Sequence, residues 1–235
     1  MPFPGIADRV QEVRQRIEEA VQCGGHGQAV RIVAVTKTYG PEAAEAAWQA
    51  GIGIVGENRI QEALDKMDRV SEPVEWHLIG HLQRNKVKHL DRFALFHALD
   101  SERLAVTIND RASAGAEVAE GAERRRMPVL VQVNTSGEET KGGFSLSELR
   151  DIAPRLAAMR GLDVRGAMTM APFDAPEHVL RQVFGKCRDA GALLRDAGMD
   201  ARELSMGMSG DYEVAVEEGA TMVRLGTILF GARMP

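Results

Sequence analysis

The chain has little cysteine and lacks both a targeting signal and a membrane-length apolar run. Only two of its 235 residues are cysteines, Cys23 and Cys187. They form neither a CxxC pair nor a zinc-ligand spacing, so a reducing compartment is favoured. The opening MPFPGIADRV has no basic segment followed by an apolar one, and no later run approaches the roughly 18 apolar residues of a membrane span. We therefore expect a cytoplasmic protein without a membrane partner.

The sequence also lacks low-complexity tracts, linkers and a strong charge of one sign. Its net charge of -5 and pI near 5.7 give no general attraction to nucleic acid, so we expect no nucleic-acid partner. No shift in composition marks a domain boundary. A chain of 235 residues is long enough to bury one large core. We therefore expect a single domain over residues 1–235.

Short apolar runs alternate with helix-like stretches along almost the whole chain. A first amphipathic helix is predicted at about residues 4–23, from apolar residues three or four apart. The predicted strands are Arg31–Thr36, Ile52–Gly56, Glu75–Ile79, Leu95–Leu99, Val129–Val133, Val164–Met170, Glu203–Met206 and Met222–Leu225. The predicted helices between them are Glu42–Ala50, Arg59–Val70, Ser101–Gly121, Leu146–Met159, Glu177–Ala197 and Asp211–Glu218. Eight such units predict an α/β fold, a closed (β/α)8 TIM barrel, with a doubly wound open sheet as the competing fold.

A barrel of this type carries its chemistry at the carboxyl ends of its strands, where several unusual polar residues of this chain fall. Lys37 follows the first strand. A lysine in a barrel mouth is partly desolvated, which lowers the pKa of its amine and makes it a nucleophile toward carbonyl groups. This position therefore suggests Schiff-base chemistry. The alternative is that the Lys37 side chain only extends along the rim into solvent.

The last two predicted strands end in residues that suit phosphate binding. Gly226 and Thr227 offer backbone N–H groups and a hydroxyl, and Ser209 offers the same at the start of a helix. The alternative for Ser209 is simple helix capping. Arg224 lies within the apolar eighth strand, where a cation is costly unless it faces a functional interior. It could oppose the ring nitrogen of a phosphorylated pyridine aldehyde, or pair with a barrel carboxylate.

Two further polar residues are ambiguous from the sequence. Asn58 precedes a predicted helix with Gln61 at the third helical position, so a capping role explains much of it. His77 and His81 are four residues apart but lie in a strand-like run without an HExxH helix, which disfavours a metal site. The stretch QRNKVKH is predicted to be a helix with a solvated basic face. The glycine-rich loop at residues 134–144 is either a lid or a surface excursion.

Taken together, the motifs resemble those of the pyridoxal phosphate homeostasis proteins, which are related to the N-terminal barrel of alanine racemase. The matching stretches, in the order of the family, are VAVTKTYG, GENRIQEA, WHLIGHLQRNK, VNTSGEETKGGF, RGAMTMAPF and LSMGMSGDYEVAVEEGATMVRLGTILFGAR. The resemblance implies pyridoxal 5'-phosphate (PLP) held as a Schiff base on Lys37. It also implies the following cofactor-binding residues: Asn58, His77, Ser205, Ser209, Arg224, Gly226 and Thr227, with Arg224 at the pyridine nitrogen.

The resemblance further implies a role in intracellular vitamin B6 homeostasis, with PLP-dependent apo-enzymes as acceptors. An alanine racemase would carry a further β-domain with a catalytic tyrosine, whereas this sequence stops at Pro235 directly after the eighth strand. We therefore expect no robust catalysis, because a racemase needs acid-base groups on both faces of the substrate carbon. The lack of the racemase-type dimerising domain also favours a monomer. The rival hypotheses are a PLP-dependent amino-acid racemase of low activity and a Schiff-base aldolase that uses Lys37 on a sugar phosphate.

Overall fold

Eight parallel strands close into one barrel, as the alternating sequence pattern predicts. The computed structural model describes residues 3–114, 126–135 and 142–231. The strands are β1 Arg31–Val35, β2 Ile54–Glu57, β3 Glu75–Leu78, β4 Leu95–Leu99, β5 Met127–Gln132, β6 Leu162–Met168, β7 Glu203–Ser205 and β8 Met222–Leu225. They hydrogen-bond in sequence order and β1 also pairs with β8, so the barrel is closed and the open doubly wound sheet is wrong.

Helices follow the strands and cover the outside of the barrel. They are α1 Ile6–Gly24, α2 Glu42–Gln49, α3 Ile60–Met67, α4 Glu102–Ala114, α5 Leu146–Ala158, α6 Glu177–Asp196, α7 Tyr212–Glu217 and α8 Thr227–Phe230. Because helices cover one face and the barrel interior lies behind the other, most strand residues are buried on both sides. Four of the five residues of β1 are buried, for example. This burial explains why the strands read as continuous apolar runs.

The segment QRNKVKH, apart from Gln83 at its start, lies in a 3-10 helix, Arg84–Arg92, and not in an α-helix. Its two buried residues, Val87 and Leu90, are three positions apart. That spacing places both on one face of a helix with three residues per turn. The basic residues between them face outward, as the sequence predicts. Of the predicted helix Ser101–Gly121, residues beyond 114 lie outside the described part of the chain.

The first helix packs across the outside of the last two β/α units, on α7 and α8. Its buried face consists of Ile6, Val10, Val13, Ile17 and Ala20. The contact is tight at the end of the helix, where a Cβ on Gly24 would overlap the backbone carbonyl of Glu217. Glycine is therefore required at this position for the helix to lie against α7. No helix among the described residues is long and apolar enough to cross a membrane.

Candidate functional site

Most of the residues singled out in the sequence lie at the carboxyl-terminal end of the barrel. The residues in the loops that follow strands are Lys37 after β1, Asn58 after β2, Ser209 after β7, and Gly226 and Thr227 after β8, each within four residues of the strand end. Ser205 is the last residue of β7, and Arg224 is the third of the four residues of β8. In a parallel barrel all of these ends meet at one mouth. The structure therefore brings Lys37 and the loops after β7 and β8, for which the sequence predicts phosphate binding, to the same end of the barrel.

The backbone on both sides of Lys37 is held by a buried charged cluster. Lys66 on α3 donates from Nζ to Glu57 Oε1 at 2.6 Å, to Glu62 Oε1 at 2.9 Å and to the carbonyl oxygen of Thr36 at 2.8 Å. The Thr36 hydroxyl donates to the same Glu57 oxygen at 2.6 Å. The Thr38 N–H donates to Glu62 Oε1 at 2.6 Å. Both chain neighbours of Lys37 are thus tied to this Glu57–Glu62–Lys66 cluster.

Thr38 adopts a backbone conformation that requires such support. Its φ of 70° lies in the left-handed region, which a β-branched residue rarely enters because of steric strain. The N–H of Tyr39 also donates to the carbonyl of Thr36 at 3.1 Å, which closes a tight turn around Lys37. The Lys37 side chain itself is half-buried. The cluster therefore fixes where the lysine leaves the end of β1.

The two carboxylates of the cluster, Glu57 and Glu62, differ in their burial and in their hydrogen bonding. Glu57 is fully buried, and its second oxygen, Oε2, has no hydrogen-bond partner among the described residues. Burial raises the pKa of the Glu57 carboxyl above its ordinary value, although the hydrogen bond from Lys66 opposes this. Partial burial has the same effect on Glu62, but hydrogen bonds from Lys66 and from the Thr38 N–H lower its pKa overall. The Lys66 ammonium and the Thr36 hydroxyl therefore both favour the charged form of Glu57.

The loops after β7 and β8 meet through the side chain of Ser209. Its Oγ accepts hydrogen bonds from the backbone N–H of Gly226 at 3.3 Å and of Ile228 at 3.4 Å. Ser209 is not the cap of the following helix, because Asp211 occupies that position and makes no side-chain cap bond. The capping alternative is therefore wrong. The hydroxyl and two backbone donors lie together where the sequence predicts a phosphate site.

Arg224 extends into the barrel interior, where its hydrogen bonds within the described part of the chain go to uncharged oxygens. Nη1 donates to the carbonyl and to the Oγ of Ser205, both at 2.7 Å, and Nη2 donates to the carbonyl of Thr169 at 2.8 Å. These bonds orient the guanidinium without neutralising it. Burial lowers the pKa of Arg224 to about 10, which still leaves it protonated at neutral pH. The alternative of a structural pair with a barrel carboxylate is not what holds this side chain.

His77 is buried in β3 and contacts a second buried histidine. Its Nδ1 lies 3.0 Å from Nε2 of His97 on β4, and Nδ1 of His97 lies 2.9 Å from the Oγ of Ser205. The other sequence candidate for a metal ligand, His81, instead contacts Asp100 at 2.9 Å. No group of three or more histidine, cysteine or acidic side chains suited to a metal ion occurs within the described ranges. His77 is therefore linked to Arg224 through Ser205 and His97.

Asn58 lies just before α3 and does not cap it. The helix begins at Ile60 after Arg59 in the capping position, with no side-chain cap bond. The backbone of Asn58 instead packs against the loop after β3, where a Cβ on Gly80 would overlap its carbonyl oxygen. Gly80 thus allows the loops after β2 and β3 to approach each other. Of the predicted loop at 134–144, residues 136–141 lie outside the described part of the chain.

Three residues that build this site were not singled out from the sequence: Lys66, Glu62 and His97. Lys66 and Glu62 are four apart on α3, which is a recognisable ion-pair spacing, but the same spacing is common on exposed helix faces. His97 lies in a strand that otherwise consists of Leu95, Phe96, Ala98 and Leu99. A lone histidine inside such an apolar strand is the signal that could have identified it.

Comparison with known proteins gives a consistent result. The sequence profile of the alanine racemase N-terminal domain matches residues 9–234. Pyridoxal phosphate homeostasis proteins are similar over nearly the whole chain: that of Aquifex aeolicus is 39% identical, with 96% of this chain and 97% of the relative covered. The corresponding protein of Escherichia coli K12 is 36% identical, with 97% of both chains covered.

Solved structures agree with these relatives. PipY of Synechococcus elongatus, solved with PLP bound, superposes with a TM-score of 0.82 at 32% identity, covering 96% of this chain and 100% of PipY. Alanine racemase of Corynebacterium glutamicum has a TM-score of 0.72 at 18% identity, with 97% of this chain and 61% of the racemase covered, which shows a shared fold. The chain therefore belongs to the alanine racemase N-terminal domain family and, within it, to the pyridoxal phosphate homeostasis proteins.

Proposed function

We propose that this protein binds PLP through a Schiff base on Lys37 and holds it for intracellular vitamin B6 homeostasis. The observation that carries the proposal is that Lys37 and the Ser209–Gly226 junction lie at the same mouth of the barrel. PipY, with 32% sequence identity to this chain, was solved with PLP bound. The curated relatives are named for PLP homeostasis. The same chemistry is therefore proposed for this chain.

The donors at the mouth fit the phosphate of the cofactor. Ser209 contributes a hydroxyl, Gly226 contributes a backbone N–H, and Thr227 contributes both. In the present geometry the Ser209 hydroxyl accepts the N–H groups of Gly226 and Ile228. A phosphate oxygen can take these donors in turn, because it is a stronger acceptor than a hydroxyl. Ser205, Asn58 and His77 complete the proposed set of cofactor-binding residues. Ser205 and His77 would act indirectly, through the hydrogen bonds that link them to Arg224.

Arg224 is the residue that favours carriage over catalysis. Bound PLP supplies an aldehyde that forms a covalent link with an amine and a pyridine ring that accepts electrons when its nitrogen is protonated. An arginine facing that nitrogen donates a hydrogen bond and keeps the nitrogen unprotonated, because the guanidinium does not give up its proton at neutral pH. The ring is then a weak electron sink. We therefore propose that the protein has no robust catalytic activity.

The cellular setting follows from this role as a further proposal. A carrier of PLP would act in the cytoplasm as a monomer and pass the cofactor to PLP-dependent apo-enzymes. Transfer requires an amine of the acceptor to replace Lys37 on the cofactor aldehyde, so Lys37 must be reachable from solvent. Its half-buried side chain at the barrel mouth meets this requirement.

Purified protein incubated with PLP, and then with a panel of L-amino acids, tests the proposal. We expect a yellow protein whose visible absorption band persists, with no sustained formation of D-amino acid or keto acid. Chiral chromatography of the mixture and the visible spectrum are the two measurements. Sustained turnover at enzyme-like rates would contradict the carrier hypothesis and favour the PLP-dependent racemase. The aldolase would be favoured by two results together: the protein stays colourless with PLP, and borohydride traps a covalent adduct only when a sugar phosphate is present.

A further inference from the structure

A continuous row of buried polar side chains crosses the barrel interior beneath Arg224. It runs from Arg224 on β8 to Ser205 on β7, His97 on β4 and His77 on β3, with successive contacts of 2.7, 2.9 and 3.0 Å. Ser205 and His97 are fully buried, and His77 is 1% exposed. Residues from these four strands can meet only inside the barrel. The row therefore passes through the centre of the fold and not along its surface.

Arg224 determines the direction of the hydrogen bonds at the first link. Its Nη1 donates to Ser205 Oγ, so that oxygen already accepts one hydrogen bond. If His97 also donated from Nδ1, the Ser205 hydroxyl hydrogen would have no acceptor among the contacts of the described residues. A buried donor without a partner is costly. The Ser205 hydroxyl must therefore donate to His97 Nδ1, which places the proton of His97 on Nε2.

The same direction continues to the far end of the row. The His97 Nε2–H donates to Nδ1 of His77, so His77 also carries its proton on Nε2. That nitrogen faces the Oε2 of Glu75 at 3.8 Å, and the Glu75 side chain is 60% exposed. If the hydrogen bonds ran in the opposite direction, His77 would carry its proton on Nδ1, and the lone pair of its Nε2 would face this carboxylate. Both ends of the row thus favour hydrogen bonds that run from Arg224 toward Glu75.

The surroundings keep both imidazoles neutral. Burial lowers the pKa of His77 to about 3, and the cations Arg31 and Arg165 act in the same direction. Burial also holds the pKa of His97 well below its ordinary value, helped by His77, Arg224 and Arg31. Glu75 is the acidic side chain that faces His77, and its carboxylate is exposed. The tautomers are therefore set by hydrogen bonding over the neutral pH range.

We propose that His97 and His77 are positioning residues that hold Arg224 toward the cofactor ring. His97 accepts the hydroxyl hydrogen of Ser205, which turns a lone pair of Ser205 Oγ toward the guanidinium of Arg224. His77 accepts the Nε2–H of His97 and so holds His97 in the tautomer whose Nδ1 can accept that hydrogen. Arg224 then keeps all three of its uncharged acceptors and a fixed orientation. The consequence for binding rests on the proposed function, whereas the tautomers are a property of the protein alone.

The tautomers are measured by NMR of the cofactor-free full chain with nitrogen-15 in its histidines. Two of the six histidines should show the neutral Nε2–H form, unchanged from about pH 5 to about pH 8, where an ordinary histidine titrates. A Ser205→Ala variant should lose the fixed tautomer of His97. His81→Gln removes an exposed histidine outside this row and should leave the two signals unchanged. A proton on Nδ1 of His97, or titration of either buried histidine near neutrality, would overturn the proposal.

The effect on Arg224 is measured by a double-mutant cycle on the dissociation constant of PLP. His97→Leu and Ser205→Ala should each weaken binding about fivefold, which corresponds to one net hydrogen bond. The double variant should also lose about fivefold, because both changes break one row. Leu194→Ala, in the buried face of α6 outside the barrel, should lower stability without changing PLP affinity.

Independent losses that multiply to about 25-fold, or no loss in either single variant, would contradict the positioning role. If His97→Leu does not fold, the tautomer measurement on Ser205→Ala still decides the question. A wild-type protein that does not bind PLP would refute the proposed function, and the tautomer result would stand separately.

Discussion

Replacing Lys66 with methionine is expected to destabilise the protein by about 3–5 kcal/mol, the usual cost of removing one partner from a buried ion pair. The Glu57 carboxylate would lose the Lys66 ammonium, while its second oxygen already lacks a hydrogen-bond partner within the described part of the chain. The Thr36 carbonyl would lose a donor as well. Urea unfolding of the variant and of the wild type at neutral pH measures the difference in the free energy of unfolding.

The loss should depend on pH in a defined direction. Without Lys66, the pKa of Glu57 loses the main influence that opposes its burial, and the hydrogen bond from Thr36 remains, so this pKa should rise further in the folded state. A carboxyl whose folded pKa exceeds its unfolded pKa binds more protons when folded. The stability of Lys66→Met should therefore recover as the pH falls through the folded pKa of Glu57, and the deficit should be largest above it.

Two further variants show whether the buried charge is the cause. Glu57→Gln in the Lys66→Met background should recover part of the lost stability, because the uncompensated charge is removed. Lys88→Met changes an exposed lysine in the same way and should cost at most about 0.5 kcal/mol. Equal stability of Lys66→Met and Lys88→Met would show that the cluster does not support the turn around Lys37.

Replacing Ser209 with aspartate is expected to weaken PLP binding by roughly a hundredfold or more, since juxtaposed like charges cost several kcal/mol. The new carboxylate would lie where the Ser209 hydroxyl now accepts the N–H groups of Gly226 and Ile228. It would occupy these donors and repel a phosphate. Spectrophotometric titration with PLP gives the dissociation constants of the variant and of the wild type.

Pyridoxal, which has the aldehyde but no phosphate, separates phosphate binding from general damage. Its affinity for the Ser209→Asp variant should be close to its affinity for the wild type. Ser71→Asp makes the same change in net charge at an exposed position and should leave the affinity for PLP unaffected. An equal loss for PLP and pyridoxal would mean that Ser209 does not contact the phosphate.

The fold was predictable from the sequence because each strand is buried on both faces and therefore appears as an apolar run. Strand β1 differs from its prediction by one residue, since Thr36 leaves the strand to begin the turn at Lys37. Strand β6 begins two residues earlier than predicted, at Leu162, because its register is set by pairing with β5 from Met127 onward. Such boundaries depend on neighbouring strands, which no single run of sequence contains.

The site was predictable only in part. Lys37, Ser209 and Gly226 could be assigned to one end of the barrel, because the carboxyl ends of parallel strands meet. The supporting contacts join residues that are distant along the chain, such as His97 and Ser205, which are 108 positions apart. Sequence patterns describe local periodicity and do not pair buried polar groups across a barrel. The cluster around Lys66 and the row beneath Arg224 therefore required the structure.

The most direct test of the account is to identify the residue that holds the cofactor. Protein loaded with PLP is reduced with borohydride, digested and analysed by mass spectrometry, with Lys37→Ala treated in parallel. The account predicts a reduced pyridoxyl adduct on Lys37 and, in the variant, no adduct and no visible absorption band. An adduct on another lysine of the wild type, or an unchanged band in Lys37→Ala, would contradict it.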